Sequence, residues 1–183
     1  FHAQKANLPA TIVMPEQAPF SKVARTKDLG AEVILRGRTL NETTSFVSDL
    51  AKQNDLVLIH PYDDFNVILG QGTVGLEFIN SVSDLDYLVV PIGGGGLISG
   101  ISIAAKALNP KIKIIGVETR SFPSMYNLRN GTNLTCAGDT IADGIAVKVP
   151  GVITAPIIEK YVDDIILVDE ISVEKSISDL FED

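Results

Sequence analysis

The sequence predicts an α/β fold with parallel strands, arranged as doubly wound sheets in two lobes. Apolar runs of strand length alternate with helix-length segments along the 183-residue chain, and this is the pattern of βαβ units with right-handed crossovers. Most runs are continuous rather than alternating, as expected of parallel strands that are covered on both faces. The predicted strands are 11–15, 31–36, 56–60, 87–92, 113–118 and 164–169.

The segments between these runs carry helix boundaries. Pro19 and Ser21 open the first helix, and Gly30 is expected to end it, because a glycine just past the last helical residue commonly terminates a helix. Asn41 or Thr39 is expected to cap the next one. The later predicted helices span about 40–53, 64–82, 97–108, 121–130, 154–162 and 171–182.

A lobe boundary is expected after residue 60, within the stretch "IHPYDD". Residues 1–60 would then be part of a small lobe and residues 61–183 part of a larger one. The first residues, "FHAQKAN", are typical of the last turns of a helix, whose nucleus would lie elsewhere. The final "SVEKSISDLFED" stops partway through an amphipathic helical pattern. We therefore expect the chain to be incomplete at both ends.

Composition excludes several classes of partner. The net charge is −8 and no basic cluster exists, so a nucleic acid or an anionic membrane surface is not an expected partner. The uncharged stretch from Tyr87 to Ala105 is as long as a membrane span, but Pro91 and four glycines would break a membrane helix. A single cysteine, Cys136, excludes an internal disulfide framework. We expect a cytoplasmic protein.

The stretch "VVPIGGGGLISG", residues 89–100, is the most informative motif. Gly93, Gly94, Gly95 and Gly96 follow a predicted strand, and a helix is expected to begin at about Leu97. Glycines there let successive backbone N–H groups point into one concavity, and the positive end of the helix adds to the field. A phosphate is the natural ligand of such a site. The alternative is a flexible tight turn that binds nothing.

Other phosphate motifs fit less well. The stretch lacks the Gly-Lys-Ser/Thr ending of a P-loop, which disfavours a nucleoside triphosphatase. It can be aligned with a dinucleotide-binding pattern, for which Glu118 at the end of the next strand would be the acidic residue. A dinucleotide site therefore stays a weak alternative.

Three motifs together resemble a known family. "VVPIGGGGLISG", "HPYDDFNVILGQGT" followed by "GLEF", and "TIADGIAVKVPG" are similar to the fold type II pyridoxal-phosphate enzymes, with a tryptophan-synthase-β-like fold. Threonine dehydratase (threonine ammonia-lyase) is the most similar group, with serine racemase nearby. "ATIVMPEQAPFSKVARTKDLGAEVIL" matches the small lobe of that family. The resemblance covers essentially the whole chain and makes residues 61–183 part of the cofactor-binding lobe.

The resemblance implies roles for particular residues. Gly93, Gly94, Gly95, Gly96 and Leu97 would hold the cofactor phosphate through backbone N–H groups. Gly144 would bring its backbone close to the cofactor ring. Gly72 and Gly75 would let a helix approach its neighbour closely, although glycines tolerated in the turn that opens a helix are an equal alternative.

The implied activity is that of a lyase of amino-acid metabolism, with isoleucine biosynthesis as its setting. Pyridoxal 5'-phosphate acts as an electron sink for a bound amino acid. A lysine removes the α-proton of L-threonine or L-serine and the β-hydroxyl leaves. The product hydrolyses to a 2-oxo acid and ammonia, which for threonine gives 2-oxobutanoate. A homo-oligomer is the expected state of the full-length enzyme.

The catalytic lysine is not in this sequence. In the family it lies in a segment that would precede Phe1, and the residue that faces the pyridine nitrogen would follow Asp183. No catalytic residue is therefore assigned here, and Lys148 is expected to be a solvated loop residue. The alternatives to a dehydratase fragment are a serine racemase-like activity, or a catalytically silent fragment that binds a ligand or a partner.

A divalent cation (Mg, Mn or Ca) is a further implication of the resemblance. In metal-using relatives, the positions of Glu118, the carbonyl of Phe122 and Ser124 bind the ion. A serine where a carboxylate is expected weakens such a site, because hard cations favour charged oxygen ligands. The alternative is a solvated carboxylate at the edge of the sheet. Asp63 and Asp64 are expected to cap the following helix rather than to bind a metal.

Overall fold

The computed structural model describes residues 1–37 and 40–182. The chain divides into two compact units, Phe1–Leu58 and Ile59–Asp183. The sequence predicts the boundary after residue 60. Both units contain parallel strands connected by helices, as the continuous apolar runs predict, so the α/β class with parallel sheets is confirmed.

In its described residues, the first unit contains a two-stranded parallel sheet and three helices. Thr11 pairs with Glu32 at one end of the sheet, and Met14 pairs with Leu35 at the other. The elements are α1 (His2–Lys5), β1 (Thr11–Met14), α2 (Phe20–Asp28), β2 (Glu32–Leu35) and α3 (Leu40–Gln53). The predicted end of α2 is confirmed, because Gly30 adopts a φ of 80° and its N–H donates to the carbonyl of Lys27 at 2.8 Å. Thr39 and the side chain of Asn41, the two predicted caps of α3, lie outside the described part of the chain.

The predicted strand at 56–60 is wrong. None of these residues is in a strand, and no described strand pairs with them. Val57 is 90% exposed and Ile59 75% exposed, so the apolar run is not covered on two faces in this chain. A strand requires a neighbour for its N–H and C=O groups, and the apolar pattern alone does not supply one.

The second unit contains a three-stranded parallel sheet in the order β3-β4-β5. Tyr87 pairs with Lys113, and Ile115 pairs with Asp164. Its strands are β3 (Tyr87–Pro91), β4 (Lys113–Thr119) and β5 (Asp164–Val168). Its helices are α4 (Phe65–Ser81), α5 (Gly96–Leu108), α6 (Ser124–Asn130), α7 (Thr154–Tyr161) and α8 (Glu170–Glu182), and a 3-10 turn covers Asp143–Ile145. Pro91 is compatible with β3 because β3 is at the edge of the described sheet, where a missing N–H leaves no ladder bond unmade.

The core of the second unit lies between the sheet and the helices that cover it. Ile98 and Ala105 of α5 and Ile114 of β4 are each 0% exposed. The full cluster comprises Leu88, Val90, Ile92, Ile98, Ile101, Ala105, Ile112, Ile114, Met125, Ile158, Val162 and Ile165. The apolar stretch 87–105 is divided between β3 and α5, and no helix in the described ranges is both long enough and apolar enough to cross a bilayer.

Small residues hold α4 and α5 unusually close together. A Cβ on Gly75 would lie 2.9 Å from the carbonyl oxygen of Ile101, and a Cβ on Gly72 would lie 3.4 Å from that of Gly100. Both glycines are inside α4 rather than in the turn that opens it. The prediction that Gly72 and Gly75 permit a close helix approach is therefore confirmed, and the turn alternative is wrong.

An ion cluster joins α5, β4 and the residue before β5. The Lys106 and Lys113 ammonium groups donate to the carboxylate of Asp163 at 2.8 and 2.7 Å, and the Ile114 amide donates to it at 2.9 Å. Burial opposes ionisation of Asp163, but these hydrogen bonds outweigh it and hold the pKa of the carboxyl below its usual range. The cluster ties the start of β5 to its neighbour strand.

Candidate functional site

The candidate site is the loop between β3 and α5, which contains the four glycines. The helix begins at Gly96, and Gly95 precedes it as the N-cap with a φ of 96°, in the left-handed region. A residue with a side chain adopts this conformation only at a cost, so the backbone geometry itself requires glycine at this position. Gly94, Gly95 and Gly96 are buried, whereas Gly93 is half-buried.

The backbone N–H groups of this loop have no hydrogen-bond acceptor in the part of the chain that the structure describes. The amide of Ile92 donates to Val117 of β4 at 2.8 Å, and the next amide with an acceptor is that of Ser99, which donates to Gly95 at 3.0 Å. Between them, none of the amides from Gly93 to Ile98 has an acceptor among the residues that the structure describes. Buried amides are normally paired, so six consecutive free donors at a positive helix end are suited to an anion.

The carbonyl of Gly94 is held from the opposite side. The Thr154 hydroxyl donates to it at 2.7 Å and the Gly151 amide at 3.3 Å. Thr154 is 0% exposed and is the first residue of α7. A Cβ on Gly95 would lie 2.7 Å from the Thr154 hydroxyl oxygen, which is a second reason why this position requires glycine.

Tyr62 covers the glycine loop. A Cβ on Gly94 would lie 2.2 Å from ring atoms of Tyr62, and a Cβ on Gly96 would lie 2.8 Å from its carbonyl oxygen. The Tyr62 hydroxyl donates to the carbonyl of Val149 at 3.2 Å. Burial, and then the nearby negative charge of Asp63, raise the pKa of Tyr62 above its usual value, so the phenol stays protonated and remains a donor.

Asp63 and Asp64 cap two different helices. Asp64 accepts from the amides of Asn66 and Val67 at 2.8 and 3.2 Å, so its predicted role as the cap of the following helix is confirmed. The same prediction for Asp63 is wrong. Its carboxylate accepts from the amides of residues 152–154 at 2.8–3.2 Å and thereby caps α7, which lies about ninety positions further along the chain.

The 3-10 turn Asp143–Ile145 borders the glycine loop. A Cβ on Gly93 would lie 3.2 Å from Ile145 Cα and 3.5 Å from the Gly144 carbonyl oxygen. Gly144 itself is exposed, and nothing lies within 4 Å of where its Cβ would be. The structure thus brings Gly144 next to the four glycines, from which it is separated by about fifty positions in the sequence.

Glu118, which the resemblance implies as a metal ligand, is buried and hydrogen-bonded at the start of α6. It is 0% exposed, and its two oxygens accept from the amides of Met125 and Tyr126 at 2.9 and 2.8 Å. The Ser124 hydroxyl donates to it at 3.5 Å. Burial raises the pKa of Glu118 to about 6, although these hydrogen bonds oppose the shift. Glu118 therefore caps α6 and is not a solvated carboxylate.

The contacts of Glu118 are those of a helix cap, and they provide no support for a divalent cation. Each oxygen of Glu118 accepts from one backbone amide, and the ligand implied for Phe122 is its backbone carbonyl. Within residues 1–37 and 40–182, no group of three His, Cys, Asp or Glu side chains is placed so that it could hold a metal ion.

Three side chains of the site were not assigned to it from the sequence. Tyr62, Asp63 and Thr154 surround the back of the glycine loop, and each contacts it or supports a residue that does. Tyr62 and Asp63 are part of the "HPYDD" motif, and that motif was the one signal that could have drawn attention to them. Thr154 follows a proline-glycine turn and carries no signal of its own.

The fold and the glycine loop together define a class of protein. The whole chain, residues 1–183, matches the family model of the pyridoxal-phosphate dependent enzymes, and the protein belongs to this family. The sequence-based resemblance is therefore confirmed.

Within this family, the chain is similar to enzymes that act on threonine. The chain is 46% identical to an L-threonine ammonia-lyase of Thermotoga maritima over 98% of this chain and 45% of that protein. It is 44% identical to a catabolic L-threonine dehydratase of Staphylococcus aureus, over 98% of this chain and 53% of the relative. The chain thus spans about half the length of these curated relatives.

Solved structures agree with this result. A processed threonine deaminase isoform 2 from Solanum lycopersicum superimposes with a TM-score of 0.89 at 36% identity, covering 98% of this chain and 50% of that one. Maize serine racemase superimposes with a TM-score of 0.88 at 34% identity, covering 96% and 55%.

Proposed function

We propose that the whole protein is a pyridoxal-phosphate-dependent ammonia-lyase acting on L-threonine or L-serine. It would eliminate the β-hydroxyl and release ammonia and a 2-oxo acid, which is 2-oxobutanoate when threonine is the substrate. The amides from Gly93 to Ile98 have no acceptor within residues 1–37 and 40–182, and this observation supports a phosphate-bearing cofactor. Family membership and the names of the similar proteins support the reaction.

The residues of the glycine loop would hold the cofactor phosphate. Gly93, Gly94, Gly95, Gly96 and Leu97 supply backbone N–H donors, and α5 adds the positive end of its dipole. Such donors cost nothing to reorganise when the phosphate binds, because the fold has already fixed them. The exposed backbone of Gly144, beside Gly93, would face the cofactor ring.

Pyridoxal phosphate, when bound, withdraws electrons from the α-carbon of an amino acid. The described residues bind and orient the cofactor, and none of them is assigned a proton transfer. The lysine that removes the α-proton is expected in a segment upstream of Phe1. Lys148 is exposed, as expected of a solvated loop residue.

The divalent cation stays a prediction that the contacts of Glu118, Phe122 and Ser124 do not support. No step of the proposed reaction uses a metal ion. The homo-oligomeric state and the setting in isoleucine biosynthesis are also predictions, and both rest on the resemblance alone. The cytoplasmic location is a prediction that rests on composition.

A serine racemase-like activity is the second candidate. It is supported by the similarity to maize serine racemase, which is nearly as strong as that to the tomato threonine deaminase. Threonine and serine differ by one methyl group, and a pocket discriminates such a difference by only about 1–3 kcal/mol. Both substrates therefore belong in the same experiment.

The test uses the full-length protein, purified with pyridoxal phosphate. We expect visible absorbance from covalently bound cofactor, its loss on treatment with borohydride, and 2-oxo acid formation from L-threonine and L-serine. D-serine formation without 2-oxo acid would favour the racemase. Absence of both visible absorbance and product would refute the proposal, and borohydride-sensitive absorbance in the 183-residue chain alone would refute the position given to the lysine.

A further inference from the structure

The Gly94–Gly95 peptide group is the central element of the glycine loop. Its carbonyl oxygen belongs to Gly94 and accepts from the Thr154 hydroxyl at 2.7 Å and from the Gly151 amide at 3.3 Å. Its N–H belongs to Gly95 and is one of the donors without an acceptor in the described chain. The two ends of one peptide group thus have opposite environments.

Peptide planarity links these two ends. In a trans peptide the C=O and the following N–H lie in one plane and point in opposite directions. When Thr154 holds the Gly94 carbonyl towards the start of α7, the Gly95 N–H must point away from α7. Gly95 has no Cβ and adopts a positive φ. Because the glycine backbone is flexible, its own sterics do not prevent the peptide group from rotating.

Thr154 is itself held firmly. The Asp63 carboxylate accepts from the amides of Ile153 and Thr154 at 2.8 and 3.2 Å, and from that of Val152 at 2.9 Å. These charge-assisted bonds fix the first turn of α7, and the hydroxyl of Thr154 is completely buried. The neighbouring Tyr62 covers Gly94 from another direction.

We propose that Thr154 is a positioning residue for the phosphate site, because its hydroxyl fixes the Gly94–Gly95 peptide so that the Gly95 N–H donates to the bound anion. This inference rests on the proposed function of the glycine loop. Thr154 is assigned no contact with the cofactor. It acts through the backbone, and Asp63 supports it from behind.

The inference predicts that one form of the cofactor loses affinity and another does not. Loss of the hydroxyl should weaken binding of pyridoxal phosphate but not binding of pyridoxal, which has the same ring and aldehyde and lacks the phosphate. A mutation that only loosened the fold would weaken both. The ratio of the two dissociation constants therefore separates a positioning role from a merely structural one.

The experiment compares Thr154→Val with Thr154→Ser in the full-length protein. Valine keeps the size of threonine and removes the hydroxyl, whereas serine keeps the hydroxyl. The apoprotein is titrated with pyridoxal phosphate and with pyridoxal, and binding is followed by visible absorbance. Because one charge-assisted hydrogen bond is lost or misdirected, we expect Thr154→Val to bind pyridoxal phosphate roughly tenfold more weakly, with pyridoxal binding unchanged. Thr154→Ser should restore most of the loss.

The possible outcomes are distinct. If wild type binds pyridoxal phosphate and Thr154→Val shows an unchanged ratio between the two ligands, the inference is wrong and the proposed function stands. If wild type binds neither ligand, the proposed function itself fails. If Thr154→Val does not fold, Thr154→Ala is measured against Thr154→Ser with the same ratio as the criterion.

Discussion

Gly100 is the position where the structure makes its sharpest stability prediction. A Cβ there would lie 2.3 Å from the Ile68 carbonyl oxygen and 2.5 Å from the Gly72 amide nitrogen, both in the backbone of α4. Backbone atoms cannot rotate out of the way as the end of a side chain can. Since carbon atoms pack at about 3.5 Å or more, Gly100→Ala must move α4 and α5 apart by about 1 Å.

The expected cost follows from two opposing effects. Overpacking of a well-packed core costs about 1–3 kcal/mol, and the contact with rigid backbone puts Gly100 at the upper end of that range. Alanine in place of glycine inside a helix stabilises the folded protein by about 1 kcal/mol through its higher helix propensity. We therefore expect Gly100→Ala to lower the free energy of unfolding by about 2 kcal/mol.

Urea unfolding followed by far-UV circular dichroism measures this change. The matched control is Gly70→Ala, in α4, because nothing lies within 4 Å of a Cβ at Gly70. That variant should gain about 1 kcal/mol from helix propensity alone. If Gly100→Ala is as stable as Gly70→Ala, the reasoning from the close approach of the two helices is refuted.

Three further predictions concern charge and cofactor binding. Asp163→Asn should destabilise the protein at pH 7 by about 1.5 kcal/mol, because the Lys106 hydrogen bond loses its charged acceptor, whereas the exposed Asp164→Asn should not. Because the folded-state pKa of Asp163 lies below the ordinary 3.8, its contribution to the free energy of unfolding is present above pH 3.8 and is lost as the pH falls through the lower folded value. The urea midpoints of wild type and Asp163→Asn, measured at several pH values, should therefore converge in acid. For Glu118 the pH dependence of stability has the opposite sign, because burial raises its pKa from 4.5 to about 6. The folded protein therefore binds the proton more tightly than the unfolded chain, and stability falls as the pH rises from 4.5 to about 6. Glu118→Gln should flatten this slope, and an unchanged slope would contradict the assignment. Gly94→Ala should greatly weaken pyridoxal-phosphate binding, because its Cβ meets the Tyr62 ring at 2.2 Å; a visible-absorbance titration equal to that of wild type would contradict this.

Local features of the chain were readable from the sequence. The glycine row after a strand, the glycine that ends α2 and the capping role of Asp64 depend on residues that are close together in the chain. Their conformations follow from short-range sterics and hydrogen bonding, which a linear pattern contains. Gly72 and Gly75 were readable only as alternatives, because a helical glycine has the same local signature whether or not another helix lies against it.

Long-range partners were decided by the tertiary structure. The apolar run at 56–60 has the composition of a buried strand, yet no described strand lies beside it. Asp63 caps α7, about ninety positions away, although its neighbour Asp64 caps the helix that follows directly. No spacing in the sequence contains either result, because a carboxylate accepts from whichever helix end the fold brings within reach.

The sequence by itself determined the alternation of strands and helices, the family, and the loop whose bare backbone suits a phosphate, since all three are written in residue types along the chain. Only the tertiary structure decided how that loop is held. The Thr154 hydroxyl and the Gly151 amide reach the Gly94 carbonyl from about sixty positions away, and the plane of that peptide group directs the next amide to the other side. The direction of a donor is a property of packing in three dimensions, and residue identity alone does not specify it.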